Sequence, residues 1–156
     1  MGVLADRLGR RKTILVGSVV VIVGGAIQSG SVHMAMFLVA RFITGFGIGG
    51  LVMLVPLWQS EVAPPFSRGL LVGLHGVSIL IGYSSSAWVG YGFYFVDVGG
   101  AQWRPPLALQ CFPPLVLGAG ILFVPESPRW LVEKGRAPEA KAVLERIYRD
   151  KSDPTD

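Results

Sequence analysis

Charged side chains in this chain fall into short clusters, and their types and spacing suit ion pairing and helix capping rather than covalent catalysis. Gly2, Asp6, Arg7, Gly9, Arg10 and Arg11 make the pattern G-x-x-x-D-R-x-G-R-R. Asp6 can cap a helix amino terminus or pair with a basic residue, and Arg10 and Arg11 can grip carboxylates or helix carboxyl ends bidentately. Gly9 suits a tight turn because it can take up a left-handed backbone that a side chain would oppose. Further along, Glu61 and Arg68 bracket Pro64 and Pro65. The prolines end a helix there, and the turn between them can bring the two opposite charges together. Glu126 and Arg129 enclose Ser127-Pro128, a charged pair at a helix end with a capping serine.

Reaction chemistry finds little to work with. Cys111 is the lone cysteine, which excludes an internal disulfide and a cysteine-rich metal site, and it reads as a small packed hydrophobe. The two histidines, His33 and His75, are far apart in sequence. No apolar stretch carries a pair of carboxylates for acid–base work. No catalytic residue, no metal site and no cofactor are therefore expected.

The elements that must position these clusters are membrane spans. Hydrophobic residues make up 51% of the 156 and charged residues 15%, against about a quarter charged in ordinary soluble domains. Mean hydropathy is +0.55. Four apolar runs, residues 13–30, 34–57, 70–95 and 105–124, approach or exceed the ~20 residues that cross a ~30 Å hydrocarbon core as a helix. Arg41 is the one charged side chain inside them. The chain thus reads as an all-α polytopic membrane protein, with residues 1–125 in the bilayer and a cytosolic helical segment at 126–156. A basic start followed by an apolar run resembles a signal peptide, but three further runs follow it, and the first four residues read better as the end of an earlier span.

Loop charges set the orientation. Four basic residues lie between Asp6 and Lys12, none between Ser29 and His33, and seven from Glu126 onward. The basic ends are expected in the cytosol. Net charge +4 then reflects topology, and nucleic acid is not an expected partner. Tyr91, Phe93, Tyr94, Phe95 and Trp103 make an outer aromatic belt, and Trp130 is placed at the inner headgroups. In the tail, Ala140, Val143, Leu144, Ile147 and Tyr148 recur at helical spacing, opposite Lys141, Glu145, Arg146 and Arg149 on a solvated face. Gly135 suits the end of one short helix and Pro138 the first turn of the next. Residues 152–156 read as a frayed end.

Within the second run, Gly45 and Gly49 share a helix face at i, i+4, with Gly47 opposite, so close helix packing is expected on two sides. A nucleotide-binding glycine loop is a poor reading, since no strand precedes the run. Arg41, just before it, has a guanidinium that stays charged. It must snorkel to an interface, reach water, or pair with a carboxylate outside these four runs.

In this order and at these intervals, the Asp6–Arg11 turn, the Arg41–Gly50 run, the 56–69 segment and the Pro125–Leu131 segment resemble the sugar porter family of the major facilitator superfamily, particularly its fungal members. The resemblance implies a twelve-helix parent, a sugar or related polyol as substrate, and alternating access, with this chain running from the end of the second helix through the sixth and into cytosolic helices. It implies a cytoplasmic gating network of Asp6, Arg10, Arg11, Glu61, Arg68, Glu126 and Arg129. It places Arg41 where proton-coupled members pair an arginine with a first-helix carboxylate, so proton symport and facilitated diffusion both stay open. Gly76 stands where hexose porters usually carry a sugar-contacting glutamine. His75, Ser78 and Tyr83 in the same helix, and Gln110 in the next, are the candidate substrate contacts, with ordinary interhelical hydrogen bonding as the alternative. The expected setting is a multi-pass integral protein of the plasma membrane. A membrane nutrient sensor of the same fold and an inactive truncated product are the competing readings.

Overall fold

The computed structural model describes residues 2–63, 68–96 and 102–149. Among them there is helix and no strand: α1 (Gly2–Leu8), α2 (Arg10–Ser29), α3 (Met34–Val62), α4 (Arg68–Tyr94), α5 (Arg104–Leu109), α6 (Phe112–Ile121), α7 (Pro128–Glu133) and α8 (Ala137–Arg149). Three of these, α2, α3 and α4, are long and apolar enough to cross a membrane. Apolar side chains such as Phe42, Met53, Leu80 and Trp88 are well exposed, an arrangement that only lipid or further helices can cover.

The run expected as a fourth continuous span is two helices in tandem. Proline takes the first turn of both α5 and α6. Lacking N–H groups, Pro113 and Pro114 cannot donate to the carbonyls four residues back, so the helix breaks at Gln110 and Cys111. Instead the Cys111 N–H closes a shorter turn onto the Ala108 carbonyl at 3.1 Å.

The centre of the bundle is α2, which packs along α3 and against α1, α5 and α6. Apolar burial gives little net drive between helices in lipid, so close backbone approach has to hold them. The α2–α3 seam is antiparallel and built on small residues. A Cβ on Gly17 would stand 2.9 Å from Leu51 Cδ2, one on Gly47 2.7 Å from Val21 Cγ2, and one on Gly24 2.4 Å from Thr44 Oγ1. The close-packing glycine expected on one side of α3 is thus Gly47. Gly45 and Gly49 have nothing within 4 Å of an added Cβ and face away from the described helices. On the other flank of α2, a Cβ on Gly25 would collide with Cys111 Sγ at 2.6 Å.

The tail forms the two short helices that its pattern predicts. The Arg136 N–H bonds the Leu131 carbonyl at 2.9 Å and the Gly135 N–H bonds that of Val132 at 3.0 Å. With Gly135 at φ +74°, this is a Schellman ending for α7. Trp130 and Leu131 then pack with Ala140 and Val143 of α8. Residues 152–156, the 64–67 turn and the 97–101 connection lie outside the described residues.

Gly24→Val should lower the stability of the intact protein by about 1–3 kcal/mol through overpacking against Thr44. Gly30→Ala, at an exposed helix end, should leave it nearly unchanged. Thermal unfolding in detergent distinguishes the two, and equal melting temperatures would remove Gly24 from the seam.

Candidate functional site

The basic end of the bundle gathers the charged motifs around one buried guanidinium. Gly9 separates α1 from α2 with φ +98° and ψ 158°. The φ is positive as the turn requires, but the ψ places it in an extended region that essentially only glycine occupies, rather than in the left-handed helical one. That bend turns α2 so that Arg10, at its first residue, points inward. The Arg10 side chain is 7% exposed and that of Glu61, in the last turn of α3, is 5% exposed.

Arg10 is shared among three acceptors. Its Nη1 donates to Asp6 Oδ1 at 2.9 Å and to the Ala5 carbonyl at 3.2 Å, and its Nη2 reaches Glu61 Oε1 at 3.5 Å. Nε lies 3.3 Å from Glu61 Oε2, yet out of line for a hydrogen bond, so that contact is Coulombic. Glu61 Oε2 is filled from another direction by the Ser127 hydroxyl, which donates at 2.6 Å. Trp130 Nε1 donates to the Asp6 carbonyl at 3.0 Å. The ring was expected among headgroups, but it is 8% exposed and ties α7 to the end of α1.

A second set of contacts joins α2 to the end of α6. The Arg11 backbone N–H donates to Glu126 Oε1 at 2.9 Å. Glu126 thereby caps the α2 amino terminus, where Gly9 has no side chain to do so. In return, Arg11 Nη2 donates to the Leu122 carbonyl at the end of α6. Each helix end receives the charge sign that its backbone dipole favours. A Cβ on Gly9 would stand 3.0 Å from Glu126 Oε2, so turn conformation and cap both depend on glycine.

Of the expected network, Asp6, Arg10, Arg11, Glu61 and Glu126 come together. Arg129 does not. It pairs with Glu133 at 3.6 Å on the exposed face of α7, because Pro128 starts a helix that puts i, i+4 within reach and sends Glu126 the other way. The Arg68 side chain lies outside the described residues; among those described, Arg10 and Ser127 engage the Glu61 carboxylate.

The expected substrate contacts are dispersed. Tyr83 is 76% exposed, His75 is half-buried, and the Ser78 hydroxyl donates to the Leu74 carbonyl of its own helix at 2.8 Å. Gln110 lies elsewhere, donating from Nε2 to Gln28 Oε1 at 2.8 Å. Gln28, itself 2% exposed, was not singled out by sequence, although a glutamine in an apolar run signals a polar partner. Arg41 is exposed, with its guanidinium 5.9 Å from the centre of the Phe37 ring. It lines an apolar groove with Leu38, Phe42, Gly45 and Phe46. At the opposite end of the bundle, Tyr91 and Tyr94 pack edge-on against Phe95, and Arg104 lies over Trp103.

Apolar helices with exposed flanks, locked together at one end by a buried ion pair and reciprocal caps, make up a polytopic membrane protein. Residues 1–156 match the family described as sugar (and other) transporter, and the chain belongs to that family. It is 49% identical over 150 residues to the MFS-type transporter criB of Aspergillus cristatus, covering 96% of this chain and 32% of that protein. It is 39% identical over 149 residues to the glucose transporter GlcP of Staphylococcus epidermidis, again covering 96% and 32%. Its fold superposes on the xylose transporter XylE from E. coli, in a partially occluded inward-open conformation, with a TM-score of 0.86 at 28% identity, covering 94% of this chain and 38% of XylE. The chain spans about a third of the length of the curated relatives it matches.

Glu61→Ala in the intact protein should cost about 3–5 kcal/mol, because it leaves a buried arginine without its main counter-charge. Arg129→Ala, which breaks an exposed pair, should cost under about 1 kcal/mol. Chemical or thermal unfolding of both variants checks the contrast. Equal losses would mean that Arg10 and Glu61 do not hold the bundle end.

Proposed function

We propose that this chain is part of a transporter that carries a sugar or a related polyol across the membrane by alternating access. The observation that carries this reading is the buried Arg10–Glu61 pair with its Ser127 and Asp6 partners. It joins the ends of α1, α2, α3 and α7 through groups that only a conformational change could release. A buried charged network of this kind adds little net stability over an apolar replacement. Its value lies in discriminating between two packed arrangements. The names of the relatives favour a carbohydrate as cargo, and no covalent step is needed to move one.

In this proposal the basic end faces the cytosol, following the excess of arginine and lysine there. The network favours the state closed on that side. Arg68, by its motif position, belongs to the same device. The substrate would lie between this bundle and the remainder of the transporter, as in transporters built from repeated halves. On α4, His75, Ser78 and Tyr83 occupy the helix with the most uncovered surface and are the proposed sugar contacts. Gln110 is engaged with Gln28 and serves helix packing. Arg41, exposed beside an apolar groove, is the proposed ion-coupling residue, with a carboxylate of another helix as partner. The proposed location is the plasma membrane.

Uptake of labelled hexoses, pentoses and polyols by cells expressing the intact protein, with and without a pH gradient, tests this reading. Saturable uptake of at least one is the expected result, and none with any substrate would defeat it. Arg68→Ala should slow uptake and raise labelling of the cytoplasmic end, and unchanged uptake and labelling would exclude Arg68 from gating. Arg41→Leu should abolish accumulation driven by the pH gradient while equilibrium exchange persists. Fully driven accumulation in that variant would exclude Arg41 from coupling.

A further inference from the structure

We infer that Ser127 is a positioning residue for the conformational switch, coupling the cytosolic helix pair to the Arg10–Glu61 ion pair through a single hydroxyl. The inference rests on the transport reading and extends it to a residue with no charge of its own. Ser127 is 0% exposed. Its hydroxyl faces two elements at once. As N-cap of α7 it accepts from the Trp130 N–H at 3.4 Å, and as a donor it gives its proton to Glu61 Oε2 at 2.6 Å.

A hydroxyl has one donor and two acceptor positions, so both contacts are made without competition. They differ in strength. The cap is long and neutral, whereas the bond to Glu61 is short and charge-assisted. Glu61 uses that bond as well as Arg10. Its side chain is 5% exposed, and Ser127 occupies the oxygen whose contact with Arg10 Nε is out of line for hydrogen bonding. The serine therefore fixes the rotation of the carboxylate that faces Arg10. Trp130, three residues on, fixes the same helix to the Asp6 carbonyl at 3.0 Å. The start of α7 thus bonds the carboxylate of Glu61 and the backbone of Asp6, the two residues whose carboxylates hold Arg10. A movement of α7–α8 away from the bundle must withdraw the Ser127 donor from Glu61, and a rotation of Glu61 must release α7.

Three substitutions at Ser127 in the intact transporter separate this role from simple capping. Ser127→Thr keeps donor and cap. Ser127→Ala removes both. Ser127→Asp keeps a good cap but replaces the donor with a negative charge against Glu61. The readouts are substrate uptake and the cytoplasmic accessibility of a reporter cysteine, in protein shown to reach the membrane in equal amount. Ser127→Thr should match the wild type. Ser127→Ala should shift the ratio of closed to open cytoplasmic ends by about tenfold or more, the usual scale for losing a hydrogen bond to a charged group. Ser127→Asp should shift it further still. In a Glu61→Gln background, the difference between alanine and aspartate at 127 should shrink. If aspartate behaves as the wild type and only alanine is impaired, the serine is a cap and the coupling is wrong. Absence of uptake by the wild type would instead defeat the transport reading, while the accessibility series would still report on Ser127.

Discussion

A guanidinium cannot give up its charge, so Arg10, at 7% side-chain exposure, must satisfy its donors inside the protein. This constraint organises the basic end of the bundle. It requires a carboxylate on α3, supplied by Glu61. It needs a turn that points the first residue of α2 inward, which Gly9 makes by taking a backbone conformation closed to other residues. It also draws in Asp6, one helical turn earlier. The remaining lone pairs of Glu61 then need a donor, and α7 brings Ser127. Each partner is short of options once the previous one is placed, so in this packing the end of the bundle closes as a unit.

The helix caps complement that logic with weaker but more numerous contacts. Glu126 serves the Arg11 N–H at the start of α2, and Arg11 serves the Leu122 carbonyl at the end of α6. Neither interaction needs burial to be favourable, because a helix terminus carries its own partial charge. Along the rest of α2 the chemistry changes to shape alone. Glycines at 17, 24 and 25, with Gly47 opposite, bring backbones and side chains together where apolar attraction between helices is slight.

The spans were legible because a hydrocarbon core imposes a minimum length of apolar helix, and α2, α3 and α4 follow the runs to within a few residues. The break after Leu109 was visible in principle. Hydropathy counts apolar side chains, whereas the break depends on missing backbone donors at Pro113 and Pro114. The charged network was readable as a set of motifs but not as a set of pairs. Arg10 and Glu61 are 51 residues apart along the chain, so their pairing could not be read from spacing, which speaks only for neighbours on one element. Trp130 shows the same limit. Its amphipathic ring suits a headgroup belt, but the backbone carbonyl of Asp6 satisfies the indole N–H equally well. For the glycines, the i, i+4 spacing of Gly45 and Gly49 is the stronger packing signal in sequence, while Gly17 and Gly24, seven apart and so on the same face of α2, carry the seam with Gly47.

The break between α5 and α6 has a consequence for how this span can bend. Two prolines in succession cannot donate to the Leu109 and Gln110 carbonyls four residues back. The chain crosses this point on a 3.1 Å bond from the Cys111 N–H to the Ala108 carbonyl, and the Gln110 amide is held by Gln28 of α2. A rod has become a jointed one, with each half packed on α2 separately. Such a joint lets one half tilt without carrying the other with it.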